Sequence, residues 1–334
     1  MEQHHILVTM PMTAAERKKL EAVLPEAEFA YYPDDEIRCE HDPALPQAQV
    51  ENATVILGDV PAHTLKGAKK LRLMQTASAG VGEYIQALPE TVALCNATGA
   101  YSLGISEAML AMALILKRKM YPYYERQKAH VWESLGRVSS IQDAVVLSVG
   151  LGSIGGEFAR KCKLLGAYTI GVRRACQTKP DWLDELHMIE ALDTLLPRAD
   201  IVALSMPETE KTRGLFDAKR LSRMKKDAIL LNVGRGSAVD TNALCAALQN
   251  GTIAGAGLDV VSPEPLPAEH PLWDAPNLVL TPHVSGCYTL PQTLTRIAAL
   301  GIENLQRFAD GKPLLNQVSR GAGYTLPEIK YMPD

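Results

Sequence analysis

The chain has 334 residues, a formal net charge of −4 and an ordinary globular composition. This length corresponds to about two domains, and the lack of long runs of like charge argues against a nucleic-acid or anionic-membrane surface. The longest apolar run, residues 108–116, is about half of what spans a bilayer, and the first residues do not resemble a secretory signal. We therefore expect a cytoplasmic protein that binds small molecules, with no nucleic-acid or membrane partner.

The six cysteines are far apart in the sequence and form no CxxC pair. They are Cys39, Cys95, Cys162, Cys176, Cys245 and Cys287. This spacing predicts reduced thiols instead of a disulfide framework, and it predicts no metal site. Cys162 lies at helical spacing from Phe158 and Leu165, which favours a role in core packing.

Short apolar runs alternate with helical patterns over the first hundred residues. The runs predict strands at residues 5–10, 53–58, 71–75 and 92–95. Alternation of this kind is typical of a parallel sheet covered by helices on both faces. Met10 and Met12 follow the first strand, where they either face an uncharged substrate tail or pack at the strand end.

One long helix is predicted over residues 104–130. A second alternation follows it, with strands predicted at residues 144–150, 169–172, 200–206, 228–234, 253–261 and 278–283. A last helix is predicted over residues 290–311, before a tail without a clear pattern. The chain is therefore predicted to contain two α/β regions.

A glycine-rich turn stands between a strand and a helix in the second region. Gly150, Gly152 and Gly155 follow the strand at 144–150, in the spacing G-x-G-x-x-G. The first glycine permits a tight turn, the second lets a diphosphate approach the backbone, and the third allows close packing of the helix on the strand. With a strand before it and a helix after it, the motif predicts dinucleotide binding.

Four polar residues belong to segments that begin at the carboxyl ends of predicted strands further along the chain. They are Arg235, Asp259, Glu264 and His283. Open α/β sheets place their ligands at the carboxyl ends of strands, so these side chains are candidates for a site. Taken singly, the histidine could be an ordinary loop residue, the glutamate a solvated turn and the arginine half of a surface ion pair.

These motifs together resemble the D-isomer-specific 2-hydroxyacid dehydrogenase family. The matching segments are "GLGSIG" at 150–155, "NVGRG" at 232–236, "LDVVSPEPLP" at 258–267 and "TPHVSG" at 281–286. The resemblance implies an α/β fold of two doubly wound parallel-sheet domains, in which a Rossmann dinucleotide-binding domain is inserted into a flavodoxin-like substrate domain. It places the dinucleotide-binding domain at residues 103–287 and the discontinuous substrate domain at residues 1–102 and 288–334. It also implies a homodimer.

The resemblance assigns roles that suit the chemistry of 2-oxo acid reduction. His283 exchanges a proton with the substrate oxygen, Glu264 orients the imidazole, and Arg235 binds the substrate carboxylate. Asp259 is expected near the nicotinamide ring, with capping of a turn as the alternative. The cofactor-binding residues implied are Gly150, Gly152, Ser153, Ile154, Gly155, Arg173, Arg174, Pro207, Val233 and Asp259.

A second loop of the family supplies backbone N–H groups to the substrate carboxylate. Ala79, Gly80 and Val81 match it, while Gly82 stands where relatives carry an aspartate. Trp132 resembles a tryptophan that in some relatives reaches toward the neighbouring subunit, and a core or interface aromatic is the alternative. No metal is implied.

Arg173 and Arg174 stand at the end of the second strand of the dinucleotide unit, where relatives that prefer NAD carry an aspartate. That aspartate binds the ribose hydroxyls and repels a 2′-phosphate. Two guanidinium groups instead favour NADP, with NAD as a possible second cofactor, and Arg173 is the first candidate for the phosphate contact. Solvated surface arginines are the alternative.

The expected activity is reduction of a small 2-oxo acid to a D-2-hydroxy acid, of the glyoxylate/hydroxypyruvate type or with a bulkier substrate. A phosphite-type dehydrogenase remains an alternative, whereas formate dehydrogenases lack the glutamate partner that Glu264 would provide. A dinucleotide-sensing co-regulator or binding protein of the same superfamily is the alternative from another class. Retention of Arg235, Glu264 and His283 together argues against it.

Overall fold

The computed structural model describes residues 3–32, 45–174, 178–286, 288, 290–321 and 324–325. The chain divides into two compact units. The first consists of Met1–Tyr101 and Cys287–Asp334, and the second of Ser102–Gly286. These limits differ by one residue from the predicted domain limits. Cys39, Cys176 and Cys287 lie outside the described residues, and so do the predictions about them.

The described residues form fourteen strands, ten α-helices and several short 3₁₀ helices. The strands are β1 His5–Val8, β2 Glu28–Tyr31, β3 Val55–Leu57, β4 Leu73–Gln75, β5 Ala93–Cys95, β6 Val145–Val149, β7 Tyr168–Arg173, β8 Glu185–Met188, β9 Ile201–Leu204, β10 Ile229–Asn232, β11 Gly255–Leu258, β12 Leu278–Leu280, β13 Val318–Ser319 and β14 Tyr324–Thr325. The α-helices are α1 Ala14–Glu21, α2 Gln47–Asn52, α3 Gly82–Ala87, α4 Ser102–Lys117, α5 Met120–Lys128, α6 Ser153–Leu164, α7 Leu192–Leu195, α8 Ala218–Leu221, α9 Thr241–Gln249 and α10 Pro291–Ala309. The 3₁₀ helices are Ala62–Gly67, Ile189–Ala191, Leu196–Arg198, Gly236–Ala238 and Pro271–Asp274.

The first unit is built on a five-stranded parallel sheet in the order β2-β1-β3-β4-β5. The apolar runs of β3 and β4 are fully buried, as expected for inner strands of a parallel sheet. The direction of winding reverses between β1 and β3, so the carboxyl ends of these strands form the switch point of the sheet. α10, from the end of the chain, buries Ile297, Leu300 and Leu305 in this unit.

The second unit contains a seven-stranded parallel sheet in the order β12-β11-β10-β9-β6-β7-β8. β9 and β10 are buried along their whole length, because helices cover both faces of the sheet. The order reverses between β6 and β9, which is the dinucleotide-binding arrangement of a doubly wound sheet. The predicted fold class of two doubly wound parallel sheets is confirmed by both units.

The prediction of one continuous helix over residues 104–130 is wrong, because the structure has two helices there. α4 ends at Lys117, and α5 begins at Met120 after Lys119, which adopts a left-handed conformation with φ of 53°. Pro122 explains the break, because in a continuous helix its ring would clash with the carbonyl of Arg118 and it has no N–H to donate. The tail also has a feature without a signal in the sequence, a short antiparallel pair of β13 and β14.

Candidate active site

The glycine-rich turn of the second unit leads from β6 into α6. Gly150 has φ of 94°, a conformation that favours glycine. A Cβ on Gly155 would lie 2.1 Å from the carbonyl oxygen of Gly150 and 2.4 Å from Ser205 Oγ, whereas a Cβ on Gly152 would meet no atom within 4 Å. The first and third glycines are therefore required by packing, and the second faces open space where a ligand can approach the backbone.

Two serines that the sequence analysis did not single out hold this turn in shape. Ser205 Oγ donates to the carbonyl of Gly150 at 2.6 Å, and Ser148 Oγ donates to the carbonyl of Gly155 at 3.0 Å. With these carbonyls turned toward the protein, the N–H groups at the start of α6 remain for an anion. The sequence does contain a sign of these two residues, because each is a lone serine in an otherwise apolar strand segment, "VVLSV" and "IVALS".

The first turn of α6 contains the predicted cofactor residues Ser153 and Ile154. Gly152 is the N-cap and offers no side chain to cap the helix. The first N–H groups of an α-helix have no partner within the helix, and the helix dipole favours negative charge there. The turn and the helix start therefore fit a diphosphate, which is the group a dinucleotide would present.

Arg173 lies beside the glycine-rich turn, at the end of β7. Its Nε donates to the carbonyl of Leu151 at 3.0 Å, and the side chain is half-buried, while Arg174 is exposed. The hydrogen bond fixes one guanidinium within reach of the loop that would hold the dinucleotide. Of the two arginines, Arg173 is therefore the one with a hydrogen bond to the glycine-rich turn that the structure shows.

Pro207 and Val233 follow the neighbouring strands β9 and β10. Pro207 is exposed, and its carbonyl accepts a hydrogen bond from Thr212 Oγ1 at 2.8 Å. Val233 is buried, and its N–H donates to the carbonyl of Leu204 at 3.1 Å. Pro207 is therefore accessible at the end of its strand, whereas the Val233 side chain belongs to the core at the strand ends.

Arg235 is held in a turn that two glycines pack tightly against neighbouring loops. A Cβ on Gly234 would lie 2.7 Å from the carbonyl oxygen of Met206, and a Cβ on Gly236 would lie 1.7 Å from that of Val261. Arg235 itself is half-buried, and its Nη1 donates to the carbonyl of Gly234 at 2.7 Å. The backbone that carries the guanidinium is therefore fixed by close backbone packing.

His283 and Glu264 are brought together from two different loops. The His283 Nδ1 and Glu264 Oε1 atoms are 2.6 Å apart, and both side chains are partly exposed. An ionised carboxylate can only accept, so Nδ1 carries a proton and donates it in this hydrogen bond. That arrangement leaves Nε2 as the ring nitrogen that can exchange a proton with a bound molecule.

Asp259 is buried beneath the loop that carries His283. Its carboxylate accepts from Thr281 Oγ1 at 2.6 Å and from the N–H groups of Val284 at 3.0 Å and Ser285 at 3.1 Å. His283 has φ of 53°, an uncommon conformation for a non-glycine residue, and its N–H donates to the Asp259 carbonyl at 2.8 Å. Through these contacts Asp259 caps the turn after its strand, as the alternative interpretation predicts. The same contacts hold the loop that carries His283.

In the first unit, the loop Ala79–Val81 has its carbonyl groups bound to the protein. The Ala79 carbonyl accepts from Asn96 Nδ2 at 3.0 Å, and the Gly80 carbonyl accepts from Ser78 Oγ at 2.9 Å. The Val81 carbonyl accepts from the backbone of α3. Hydrogen bonds to its three carbonyl groups therefore hold this loop in one conformation.

The two strand-end methionines and Trp132 have different surroundings. Met10 is buried, and a Cβ on Gly301 would lie 2.7 Å from its Cε. Met10 therefore packs in the core at the strand end, as one of the two interpretations predicts. Met12 is half-buried. Trp132 is fully exposed, so it is not a core residue.

No group of three histidine, cysteine or acidic side chains among the described residues is arranged to hold a metal ion. No helix in the described part of the chain is long and apolar enough to cross a membrane.

Comparison with known proteins relates the chain to dehydrogenases and reductases. Residues 110–285 match the D-isomer specific 2-hydroxyacid dehydrogenase, NAD binding domain. The chain is 32% identical over 256 residues to glyoxylate/hydroxypyruvate reductase B of Yersinia enterocolitica, covering 74% of this chain and 77% of that protein. It is 34% identical over 262 residues to a mitochondrial formate dehydrogenase of Hordeum vulgare, covering 76% and 68%.

A solved structure shows the same fold with a bound dinucleotide. It is the D-isomer specific 2-hydroxyacid dehydrogenase from Xanthobacter autotrophicus Py2, in complex with NADPH and MES. The sequence identity is 28%, the TM-score is 0.78, and the match covers 97% of this chain and all of the other.

Proposed function

Because the chain belongs to the D-isomer specific 2-hydroxyacid dehydrogenase family, we propose that it reduces a small 2-oxo acid to the D-2-hydroxy acid. The cofactor is NAD(P), whose reduced form would supply a hydride to the carbonyl carbon when bound. The carbonyl oxygen then gains a proton, so that the two electrons of the hydride and one proton complete the reduction. The substrate is of the glyoxylate/hydroxypyruvate type, the activity that names one of the relatives.

The hydrogen bond between His283 and Glu264 is the observation that carries this proposal. The carboxylate fixes the imidazole with Nδ1 protonated, and it stabilises the positive charge of the doubly protonated ring. The proton on Nε2 is then available to the substrate oxygen as negative charge develops there. In the reverse direction, neutral Nε2 accepts the hydroxyl proton. Asp259 acts here as a positioning residue, because it holds the loop of His283.

Arg235 is proposed to bind the carboxylate of the 2-oxo acid. Its planar guanidinium matches a carboxylate with two parallel hydrogen bonds, which lysine cannot provide. The tight packing of Gly234 and Gly236 fixes the turn that carries it. The family resemblance also assigns the backbone N–H groups of Ala79, Gly80 and Val81, in the first unit, to substrate binding.

The test is a panel of 2-oxo acids with NADPH and NADH, followed by absorbance at 340 nm. We expect kcat of roughly 1–1000 per second with at least one 2-oxo acid. His283→Ala should lower kcat by about two to four orders of magnitude while cofactor binding, measured by fluorescence titration, is retained. Absence of turnover in the wild type with every 2-oxo acid would refute the activity.

The same panel separates the alternatives. Formate and phosphite are tested as hydride donors to NAD and NADP, because a formate dehydrogenase is among the relatives. Glu264 argues against formate, since the resemblance implies that formate dehydrogenases lack this partner of the histidine. A co-regulator of the superfamily would bind the dinucleotide without turnover at enzymatic rates.

We propose NADPH as the preferred cofactor, on the position of Arg173 beside the glycine-rich turn. A charged hydrogen bond to the 2′-phosphate is worth about 1.5–3 kcal/mol, which corresponds to a preference of roughly ten- to a hundredfold. Arg173→Asp should abolish or reverse the ratio of kcat/KM for NADPH and NADH. Arg174→Asp is the matched control and should change the ratio less. An NADH preference of the wild type would contradict the assignment.

The homodimer and the cytoplasmic location remain proposals. Support for the dimer comes from apolar side chains that are exposed on α4, α5 and the segment after them: Leu114, Met120, Tyr121, Tyr124, Val131 and Trp132. Clusters of exposed large apolar side chains are typical of protein interfaces. Analytical ultracentrifugation of the wild type and of Trp132→Ser would test the assembly.

A further inference from the structure

Glu264 reaches His283 from an exposed stretch of the second unit, residues 262–267, which is named the Glu264 segment below. Four consecutive residues of it are exposed: Ser262, Pro263, Glu264 and Pro265. Holding an exposed side chain in one position costs conformational entropy, and little packing is present here to offset that cost. The 2.6 Å contact between Glu264 Oε1 and His283 Nδ1 therefore depends on how the two ends of the segment are held.

The end of the Glu264 segment that follows the glutamate is held by burial and by two hydrogen bonds. Leu266 is buried in the core of the second unit. The carbonyl of Pro267 accepts from the N–H of His270 at 3.0 Å and from Trp273 Nε1 at 2.9 Å. This end is therefore fixed by groups of the same loop.

The end that precedes the glutamate is held by Thr241, the first residue of α9. Thr241 is buried, and its Oγ1 donates to the carbonyl of Ser262 at 2.6 Å. The carbonyl of Val261, one residue earlier, packs against Gly236 in the turn that carries Arg235. The Thr241 hydroxyl thus ties the start of the segment to the start of a helix.

We propose that Thr241 is a positioning residue, which holds the Glu264 segment so that the carboxylate meets His283 Nδ1. For its effect on the rate, this inference rests on the proposed function, because Thr241 acts on the reaction through Glu264 and His283. Proline restricts φ, and Pro263 stands between Ser262 and Glu264. A shift of the Ser262 carbonyl is therefore passed on to Glu264 instead of being absorbed between the two residues.

Thr241→Val tests this assignment, because valine has nearly the same shape and lacks the hydroxyl. Loss of one hydrogen bond corresponds to a factor of about two to ten, and kcat for 2-oxo acid reduction near neutral pH should fall by this factor. A displaced carboxylate stabilises the doubly protonated ring of His283 less, so the profile of kcat against pH should also move toward lower pH. The dissociation constant of NADPH, measured by fluorescence titration, should stay unchanged.

Two further variants separate positioning from general damage to the fold. Thr241→Ser retains the hydroxyl and should restore both kcat and the pH profile. In the background of Glu264→Gln, where the carboxylate is already absent, Thr241→Val should move the profile no further. A shift of equal size in the two backgrounds would overturn the assignment, and so would a folded Thr241→Val with the kcat and profile of the wild type.

Thr194→Val is the matched control. Thr194 also lies on a helix, α7, and its Oγ1 donates to a backbone carbonyl, that of Ala191, at 2.7 Å. This variant should leave kcat and the pH profile unchanged. If Thr241→Val does not fold by circular dichroism, Thr241→Ala replaces it. If neither folds, Trp273→Phe releases the other end of the Glu264 segment, and an unchanged profile in that variant overturns the inference.

A measurement without turnover keeps the two proposals apart. A wild type that reduces no 2-oxo acid refutes the proposed function. The titration of the His283 ring, followed by NMR and assigned with His283→Ala, then decides the role of Thr241. In Thr241→Val the midpoint of this titration should lie about 0.3–1 pH unit below that of the wild type. Equal midpoints would overturn the assignment of Thr241.

Discussion

At the scale of single residues, the pair of His283 and Glu264 combines a fixed geometry with partial exposure. The histidine must remain open to a substrate, so the protein cannot orient it by burying the ring. Orientation comes instead from the carboxylate on Nδ1 and from a backbone that Asp259 holds at positive φ. The acid–base group is therefore positioned by hydrogen bonds and remains accessible.

Glu264→Gln tests this pair. Glutamine keeps the size of the side chain but no longer compensates the protonated imidazole, so the doubly protonated ring becomes less stable. Because reduction requires that form, the profile of kcat against pH should move toward lower pH, and kcat near neutral pH should fall by about tenfold or more. The measurement is 2-oxo acid reduction between pH 5 and 9. A profile identical to the wild type would show that Glu264 does not act through His283.

The motifs around Arg235, Glu264 and His283 allowed these three residues to be predicted, because each follows an apolar strand and matches a family segment. Their roles stay predictions. The sequence did not indicate that Asp259 binds the loop of the histidine, since four of its contacts depend on the fold of residues 281–285. It also left Met10 undecided, because its partner Gly301 lies almost three hundred residues away.

At the scale of elements, the inner strands could be predicted and two edge strands could not. β9 and β10 are continuous apolar runs because both faces of their sheet are covered. β2, "EFAY", and β8, "ELHM", lie at sheet edges and are half-exposed, so their sequences carry no such run. A run of apolar residues indicates a buried strand, so an edge strand that is mostly exposed cannot be recognised by such a run.

Gly236→Ala tests the close packing of the turn that carries Arg235. The new Cβ would lie 1.7 Å from the Val261 carbonyl oxygen, so the two loops must separate. We expect a loss of about 1–3 kcal/mol in the free energy of unfolding, as for other overpacked sites, together with a higher KM for the 2-oxo acid.

Gly156→Ala in α6 is the control for this substitution. A Cβ on Gly156 meets no atom within 4 Å, and alanine favours the helix by about 0.8–1 kcal/mol. Urea unfolding should therefore show the two glycine variants on opposite sides of the wild type. Equal stability of Gly236→Ala and the wild type would contradict the packing argument.

At the scale of the whole molecule, each unit has its own core, and the first unit needs residues from both ends of the chain. Asn304 of α10 is fully buried there. Its Nδ2 donates to Gln75 Oε1 at 2.5 Å and to the Leu315 carbonyl at 3.0 Å, and its Oδ1 accepts from the Leu315 N–H at 2.7 Å. One amide thus joins β4, α10 and the tail.

Asn304→Ala removes these three hydrogen bonds, of which the one to the buried Gln75 side chain is fully buried and the two to the Leu315 backbone are partly buried. Each unsatisfied buried group costs about 1–3 kcal/mol, so the stability of the first unit should fall by at least about 2 kcal/mol. Gln306→Ala is the control, because Gln306 is exposed on the same helix and its side-chain amide donates to the exposed Asp310. Thermal unfolding with and without NADPH distinguishes the units. If Asn304→Ala lowers the melting temperature only of the transition that NADPH raises, the contribution of Asn304 to the first unit is contradicted.

The discontinuity of the first unit also sets an order of events during synthesis. The strands β1–β5 leave the ribosome before α10, and about 185 residues of the second unit lie between them. At ~5–20 residues per second, the first hundred residues wait roughly 10–40 s for the helix that completes their core. The second unit is continuous and can finish folding during that interval. The first unit is consequently the part of the nascent chain that exposes apolar strands longest, and it is the segment on which a chaperone would act.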